Sequence, residues 1–389
     1  MIPILYDNTY ASVTDDDAVI GYLADCISCE VTEERNGAYT AELVYPVGGI
    51  HFHELKPTRI IRLRANHSEG FDRYQLFRIW RISRPMDKNG EIVCTFYLRH
   101  ISYDLDGVIV MPGEYYGSAQ EVMRDAISRS TDPDTPFDFE SDIPAVRAVQ
   151  ISLASPVSFR SFIGGMDGSV LAQAGGEFEF DNFTVRLNSS RVIQSYVQVR
   201  YGKNIIELND DVDASNTYTH VLPFAYRTED GVTDIVYKFG PDKRIAVPDV
   251  YDIGRDRVLP IDLTSLFSDP AQISMAAVES AGNAYIENHG VGNVIQTINC
   301  KFADLRAFET YKNLPMEDVS LCAYADVYFE PLAIHATMQI TRTVYDVLGE
   351  AYTDLTLGEK TASFVDKFAS VSRRTNVLKS QVDVLMQRT

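Results

Sequence analysis

Short segments in which apolar and polar residues alternate recur along most of this 389-residue chain, and they constrain its fold more than any other feature. From Tyr39 to Tyr45 every second residue is apolar or aromatic, as in a strand with one buried face. Similar segments cover residues 59–64, 74–82 and 92–98, and Asn89-Gly90 supplies the positive φ of a tight hairpin. Residues 1–104 are therefore predicted to form a small antiparallel barrel or a strongly curled sheet.

The pattern changes after residue 104. Ser118-Ala-Gln-Glu121 is a capping box that predicts a helix through about Arg129. A second short helix is predicted near Pro156 and a third from about Asp167 to Ala174, ended by two glycines. Segments 177–180 and 183–187 then form a predicted hairpin around Asp181-Asn182. Residues 105–189 are thus predicted to be an α+β insert.

Strand patterns return from about residue 190. Segments 218–227 and 232–239 flank a turn, residues 271–289 have helical spacing, and four further strands cover 294–300, 319–328, 335–345 and 351–357. The predicted fold class is mixed β and α+β, multidomain, with two barrel-like β domains. The first combines 1–104 with 190–212, and the second combines 213–265 with 291–358 around a helical insert at 266–290.

The last 31 residues, 359–389, have a heptad repeat that no Gly or Pro interrupts. Such a seam predicts a coiled-coil helix that joins copies of the chain, and the alternative is a helix packed on its own chain. Neither row that flanks the seam contains an acidic residue, so pairing between copies gains no interhelical ion pairs. The predicted oligomerisation residues are Phe364, Phe368, Val371, Leu378, Val382 and Leu385.

The charge of the chain is strongly acidic, with 35 Lys and Arg against 55 Asp and Glu, a formal net charge of -20. The last 31 residues carry +3, so the acidity belongs to the preceding residues. A surface of this sign opposes binding to nucleic acid, which requires a basic footprint. No apolar run has the length of a membrane span, and the N-terminus lacks the features of a signal peptide, so we expect no membrane insertion and synthesis in the cytoplasm.

Candidate metal ligands are few. Five cysteines without repeated spacing are expected to be reduced thiols. Cys26 and Cys29 have CxxC spacing without a second pair, and no third ligand accompanies His51 and His53. Segment 211–216 lacks the glycine and the final acid of a calcium loop, so an Asx-rich turn is expected there. We therefore predict no metal and no cofactor.

Sequence motifs of catalysis are also missing. The chain contains no HExxH, no GxSxG and no phosphate-binding GxxxxGK[ST] or GxGxxG. This absence favours a protein that is not an enzyme. Two alternatives stay open: a peptidoglycan hydrolase or endopeptidase acting at a cell wall, and a carbohydrate- or receptor-binding module.

Several strings, in order, carry a resemblance to one family. These are Gly175-Gly-Glu-Phe-Glu-Phe-Asp-Asn-Phe183, Tyr201-Gly-Lys-Asn-Ile205, Thr219-His-Val-Leu-Pro223, Leu259-Pro-Ile-Asp-Leu263, Tyr345-Asp-Val-Leu348 and Leu355-Thr-Leu-Gly358. Together they resemble the N-terminal tail-hub region of phage minor structural proteins, the prophage tail endopeptidase or tail-associated lysin family. Over residues 1–174 the resemblance is in layout.

The resemblance implies a structural tail hub, a component of the baseplate or tail tip of a virion. Three copies would form a ring that closes the distal end of the tail tube. The implied partners are two further copies, a distal tail protein or tail tube hexamer, the tape measure protein, and a tip spike or fibre. The resemblance assigns no catalytic residue to this chain. In longer relatives the lytic module follows this region, whereas this chain ends at its heptad segment.

Overall fold

A computed structural model describes residues 1–13, 18–66, 74–86, 92–191, 196–215, 217–229, 232–238, 240–248, 254–267, 269–289, 291–292, 294–305 and 319–358. These residues divide into two compact units. One unit contains the described residues of Met1–Asn209 and Ile298–Thr389, and the other contains those of Asp210–Thr297.

A large sheet dominates the first unit. Its N-terminal strands are β1 (Ile4–Tyr6), β2 (Val19–Tyr22), β3 (Ser28–Glu34), β4 (Tyr39–Pro46), β5 (Ile60–Arg64), β6 (Tyr74–Ser83) and β7 (Val93–His100). The remaining strands are β15 (Tyr196–Arg200), β16 (Ile205–Asp213), β21 (Ile295–Phe302), β22 (Tyr324–Phe329), β23 (Ile334–Asp346) and β24 (Ala351–Gly358). The order is β16-β21-β24-β23-β3-β4-β7-β6-β5-β1-β2, with β22 paired to β23 and to β15.

The predicted strand alternation is present. In β4 the side chains of Tyr39, Ala41, Leu43 and Tyr45 are buried, and the residues between them are not. One face of the sheet therefore builds a hydrophobic core, to which Phe77, Phe96 and Leu98 also contribute. Because successive side chains of a strand point to opposite faces, the other face of the sheet presents polar and aromatic groups.

Residues 101–188 form a substructure around a second hydrophobic core, to which Ile4, Tyr6, Ile60 and Leu76 of the large sheet also contribute. It opens with a 3-10 helix, Ile101–Gly107. The strands are β8 (Ile109–Val110), β9 (Gly113–Gly117), β10 (Asp138–Ser141), β11 (Val149–Leu153), β12 (Val157–Ser158), β13 (Glu177–Asp181) and β14 (Thr184–Asn188). The helices are α1 (Ala119–Ser128), α2 (Val170–Ala174) and a π-helical turn, Ser161–Gly165. Phe139, Phe159 and Phe162 are buried at its centre.

Two local predictions in this region are confirmed and one is wrong. Ser118 caps α1 by accepting a hydrogen bond from the Glu121 backbone N–H, and the Glu121 carboxylate accepts one from the Ser118 N–H, as the capping box predicts. The hairpin of β13 and β14 turns at Asp181-Asn182. The start predicted for the second helix, near Pro156, is wrong, because Val157 and Ser158 pair with β8 and helical structure starts at Phe159.

The second unit consists of a small sheet covered by one helix. Its strands are β17 (His220–Glu229), β18 (Val232–Tyr237), β19 (Ile245–Ala246) and β20 (Val258–Asp262), and its α-helix is α3 (Met275–His289). Strands β17 and β18 pair as the predicted hairpin. Val221 of β17 and Val278 of α3 belong to one buried cluster with Ile245 and Ile261.

This grouping differs from the predicted one. The sequence places β3 and β23 in different barrel-like domains, yet Arg342–Asp346 pairs with Glu30–Glu34 in one sheet. The physical reason is a shared core, in which Val31 of β3 is buried with Tyr345 of β23 and Leu355 of β24. The unit Asp210–Thr297 instead combines residues from the predicted second barrel with the helix of the predicted insert. Closure of either sheet into a barrel stays a prediction.

The heptad segment 359–389, with its six predicted oligomerisation residues, lies outside the described residues, as do Asn89-Gly90 and Asp230-Gly231. Within the described part of the chain, no helix combines the length and apolarity that crossing a membrane would require.

Candidate interaction surfaces

One serine–histidine pair has the distance expected of a catalytic pair but not the accessibility. The Nδ1 atom of His100 lies 3.0 Å from Oγ of Ser102, and its Nε2 atom lies 3.0 Å from Oε1 of Gln75. His100 and Ser102 are completely buried. Burial, followed by the nearby Arg160 charge, lowers the pKa of His100 well below its ordinary value. A neutral, enclosed imidazole of this kind serves as a hydrogen-bonding core residue.

The five cysteines are free thiols. Sγ of Cys26 lies 3.2 Å from the Ser28 carbonyl oxygen, and Cys29 is buried. Burial raises the pKa of Cys26 and that of Cys300 to about 12. Because the thiolate is the nucleophilic and metal-binding form, these environments suppress both reactions near neutral pH.

The other candidate ligands also have local partners. His51 contacts the carboxylate of Glu54 at 3.0 Å beside a 3-10 helix, Phe52–Glu54. Asp213 accepts a hydrogen bond from the Ser215 backbone N–H at 2.7 Å, which confirms the predicted Asx turn. Among the described residues, no group of three His, Cys, Asp or Glu side chains is arranged to hold a metal ion.

The Asp181-Asn182 turn, one of the strings that carry the family resemblance, attaches the α+β substructure to β6. Asn182 accepts a hydrogen bond from the Leu76 backbone N–H at 3.0 Å and donates one to the Tyr74 carbonyl at 2.9 Å. Asp181 accepts from the Gln75 side chain at 3.0 Å. Asn182 has φ 50°, a left-handed conformation that Asn tolerates better than most residues. The motif therefore has a structural role.

A row of stacked arginine and aromatic side chains lies on the exposed face of β6 and β7 and continues into the residues after β7. The guanidinium of Arg81 lies 4.6 Å from the ring centroid of Tyr97, and that of Arg99 lies 4.2 Å from Trp80. Beyond β7, Tyr103 lies 5.3 Å from Arg99 and 3.9 Å from Arg160. We call this row the cationic ladder; its members are Trp80, Arg81, Tyr97, Arg99, Tyr103 and Arg160.

A β-bulge creates the centre of the ladder. Ile79 pairs with Leu98, but the next pair is Arg81 with Tyr97, so Trp80 is an extra residue in β6. Trp80 and Arg81 are both exposed, whereas Ile79 is buried. A bulge places two consecutive side chains on one face, which regular alternation cannot do. Further along the same hairpin, Met86, Ile92 and Val93 also expose apolar surface.

An acidic face adjoins the ladder on the same sheet. Glu30, Glu42 and Asp354 line a shallow hollow of about 300 Å³ together with Thr32, Thr40 and Arg342. Partial burial raises the pKa of Glu30, and the neighbouring carboxylates of Asp346, Asp354 and Glu42 raise it further, while Arg342 lowers it. We use "acidic face" for Glu30, Glu42 and Asp354.

Comparisons with known proteins give the fold. A prophage tail protein, gp18, from Listeria monocytogenes superposes with a TM-score of 0.58 at 16% identity, over 96% of this chain and 99% of that one. A tail protein from Neisseria meningitidis gives 0.57 at 10% identity over 94% and 98%. The 43 kDa tail protein of prophage MuSo2 from Shewanella oneidensis gives 0.55 at 10% identity over 92% and 98%.

The chain has the fold of these tail proteins. That fold is mostly antiparallel β-sheet with few helices, as the sequence predicts. No protein-family model matches the sequence, and no curated protein does.

The sequence alone did not reveal the cationic ladder. The sequence feature that corresponds to the ladder is the alternation of arginine and aromatic residues, in Trp80-Arg81 and in Tyr97, Arg99 and Tyr103. Strand alternation hides this signal, because it predicts opposite faces for Trp80 and Arg81. The predicted oligomerisation residues and the ladder lie in different parts of the chain, so the structure adds a second candidate interface.

Proposed function

We propose that this protein is a structural component of the tail of a bacteriophage or phage-like particle. The observation that carries the proposal is similarity to three tail proteins over more than nine tenths of both chains. A match of this extent includes the α+β substructure as well as the sheets. The complete burial of the His100–Ser102 pair is in keeping with a structural role for these two residues.

The finer proposal is a homotrimeric tail hub in the baseplate or tail tip, with no catalytic activity of its own. The ring closes the distal end of the tail tube and joins it to tip proteins. It contacts the tube or distal tail protein on one side, the tape measure protein within, and a spike or fibre below. Exposed aromatic and apolar groups, among them Trp80, Met86 and Tyr116, suit a protein that works through interfaces.

The heptad segment contributes to the trimer in this proposal. Each apolar seam residue that is fully buried between copies contributes about 1.5–3 kcal/mol. Leu378→Asp with Leu385→Asp places two charges in the seam, which is costly without partners. The matched control is Ser380→Asp with Gln387→Asp, which adds the same charge on the opposite side of the helix.

The test is the mass of the purified assembly by native mass spectrometry, with electron microscopy of the particle. A trimer that the seam variant loses and the control keeps supports the hub. A chain that stays monomeric at high concentration contradicts it. An assembled seam variant would contradict only the role of the heptad segment, which would then pack on its own chain. Release of fragments from purified cell wall would instead support the peptidoglycan hydrolase.

A further inference from the structure

The cationic ladder and the acidic face are adjoining strips of a single sheet face. Across the strands, Arg81 pairs with Tyr97, Tyr97 with Glu42, and Glu42 with Glu30. Residues that are directly opposite on neighbouring strands point to the same side of a sheet. This row therefore changes from basic and aromatic to acidic within four strands. Two strips that lie side by side on one face cannot pack against each other within one chain.

Two of the three ladder arginines, Arg81 and Arg99, stack on aromatic rings without an ion pair to a described Asp or Glu at their edges. Within the described part of the chain, no Asp or Glu forms an ion pair with Arg81 or Arg99, whereas Arg160 has Asp106 at 3.6 Å. A guanidinium stacked on a ring keeps its in-plane N–H donors available for a carboxylate. The ladder therefore presents fixed, oriented donors to an acidic partner surface.

The carboxylates of the acidic face lack cationic partners among the described residues. None of Glu30, Glu42 and Asp354 forms an ion pair with a described Lys or Arg, and Arg342 lies 3.7 Å from Glu34 instead. The carboxylates that raise the pKa of Glu30 repel its negative charge, so an arriving cation relieves that repulsion. The ladder is positively charged and the acidic face is negatively charged, and each extends over at least two strands.

We propose that the cationic ladder of one copy docks onto the acidic face of a second copy of this chain. Trp80, Tyr97 and the guanidiniums form the centre of the contact, and Arg81 and Arg99 bind carboxylates among Glu30, Glu42 and Asp354. Trp, Tyr and Arg are the residues that most often carry the binding energy of protein interfaces. The inference rests on the proposed function, because it names the contact that joins copies in the tail assembly.

Charge reversal with rescue tests the pairing. Arg81→Glu with Arg99→Glu should raise the concentration needed for half-assembly by about 100-fold, because it replaces attraction with repulsion. Glu30→Arg with Glu42→Arg should have the same effect. The variant with all four changes should assemble within about tenfold of the unaltered chain, since the complementarity is restored in reverse. Arg124→Glu with Arg147→Glu, at exposed positions of the α+β substructure, is the matched control.

Sedimentation velocity at two salt concentrations provides the measurement, and thermal unfolding confirms that each variant is folded. Where charge reversal impairs folding, Arg81→Gln with Arg99→Gln replaces it and should weaken assembly and its salt dependence. If the ladder variants assemble like the control, the pairing is wrong. It is also wrong if the four-change variant folds but does not recover assembly. Neither result contradicts the proposed tail function. Failure of the unaltered chain to assemble overturns both the trimer and the pairing.

Discussion

The Nε2 atom of His100 lies 3.0 Å from the Oε1 atom of Gln75 in a site without solvent access. Gln75 also binds the turn of the α+β substructure, because its Oε1 atom accepts from the Asn182 backbone N–H at 2.8 Å. One buried imidazole thus belongs to the hydrogen-bond network that attaches this substructure to the sheet.

This burial predicts a pH dependence of stability. The pKa of His100 is lowered in the fold, so the unfolded chain binds a proton at a higher pH than the folded one. The stabilising contribution is complete above the unfolded pKa, about 6.5, and is lost as pH falls below it. Between pH 7.5 and 5.5 the free energy of unfolding should fall by about 1.4 kcal/mol more in the unaltered protein than in His100→Gln. Urea unfolding at pH 7.5 and 5.5 measures the difference, and equal slopes would contradict the prediction.

The Arg191–Glu33 ion pair predicts that the free energy of unfolding depends strongly on both partners. The guanidinium lies 2.7 Å from the carboxylate, and both side chains are largely buried. Burial opposes the charge, but Glu33 raises the pKa of Arg191 above its ordinary value. Arg191→Met should cost about 3–5 kcal/mol because it leaves Glu33 unpaired, and adding Glu33→Leu should recover most of this loss. Denaturant unfolding measures both.

The exposed pair Arg124–Asp138 is the control for that experiment. Its loss in Arg124→Met should cost at most about 1 kcal/mol. If Arg191→Met is no more damaging than this control, the buried pair does not stabilise the fold as argued.

Two adjacent glycines predict unequal effects of the same change. Gly175 has φ 69° and ψ −162°, a conformation essentially restricted to glycine, and open space where a Cβ would lie, so Gly175→Ala should cost about 1–3 kcal/mol for the backbone conformation alone. Gly176 has φ 97°, and a Cβ there would lie 2.5 Å from the Asn188 carbonyl oxygen. Gly176→Ala should therefore be more destabilising by at least about 1 kcal/mol. Thermal unfolding of the two variants decides this, and equal losses would argue against the close approach at Asn188.

The cysteine environments predict slow modification of the native protein. Because burial raises the thiol pKa values, iodoacetamide at pH 8 should label the five thiols rapidly only after unfolding. Metal analysis of the same sample should find no stoichiometric zinc. Rapid labelling of Cys29 in the folded protein, or one zinc per chain, would show that the site is open or metal-bound.

Local structure could be predicted from the sequence because its causes are local. Alternation in Tyr39–Tyr45 and the cap at Ser118 each involve residues within one element, so their signals lie within a few positions. The helix start predicted near Pro156 was wrong because a favourable first helical residue does not reveal that the next two residues pair with a strand such as β8. The pairing of β3 with β23 was also missed, since period two fixes the face of a strand and leaves its neighbour undetermined.

The candidate surfaces were harder to predict for the same reason. Trp80 breaks the alternation of β6, and only the register with β7 shows that it joins Arg81 on one face. The acidic face requires the consecutive strands β3 and β4 together with β24, which is far from both in the chain. Neither surface exists as a contiguous motif.

The position of β23 also affects the order in which the protein matures. Its pairing with β3 joins residues about 300 positions apart, so the sheet cannot be completed until β23 has been translated. Strands β6 and β7, which hold most of the ladder, can pair much earlier. Asp354, on β24, is among the last residues of the acidic face to emerge from the ribosome. A nascent chain thus carries Glu30, Glu42 and most of the ladder before Asp354 completes the acidic face, which delays the full contact between copies until β24 has been synthesised.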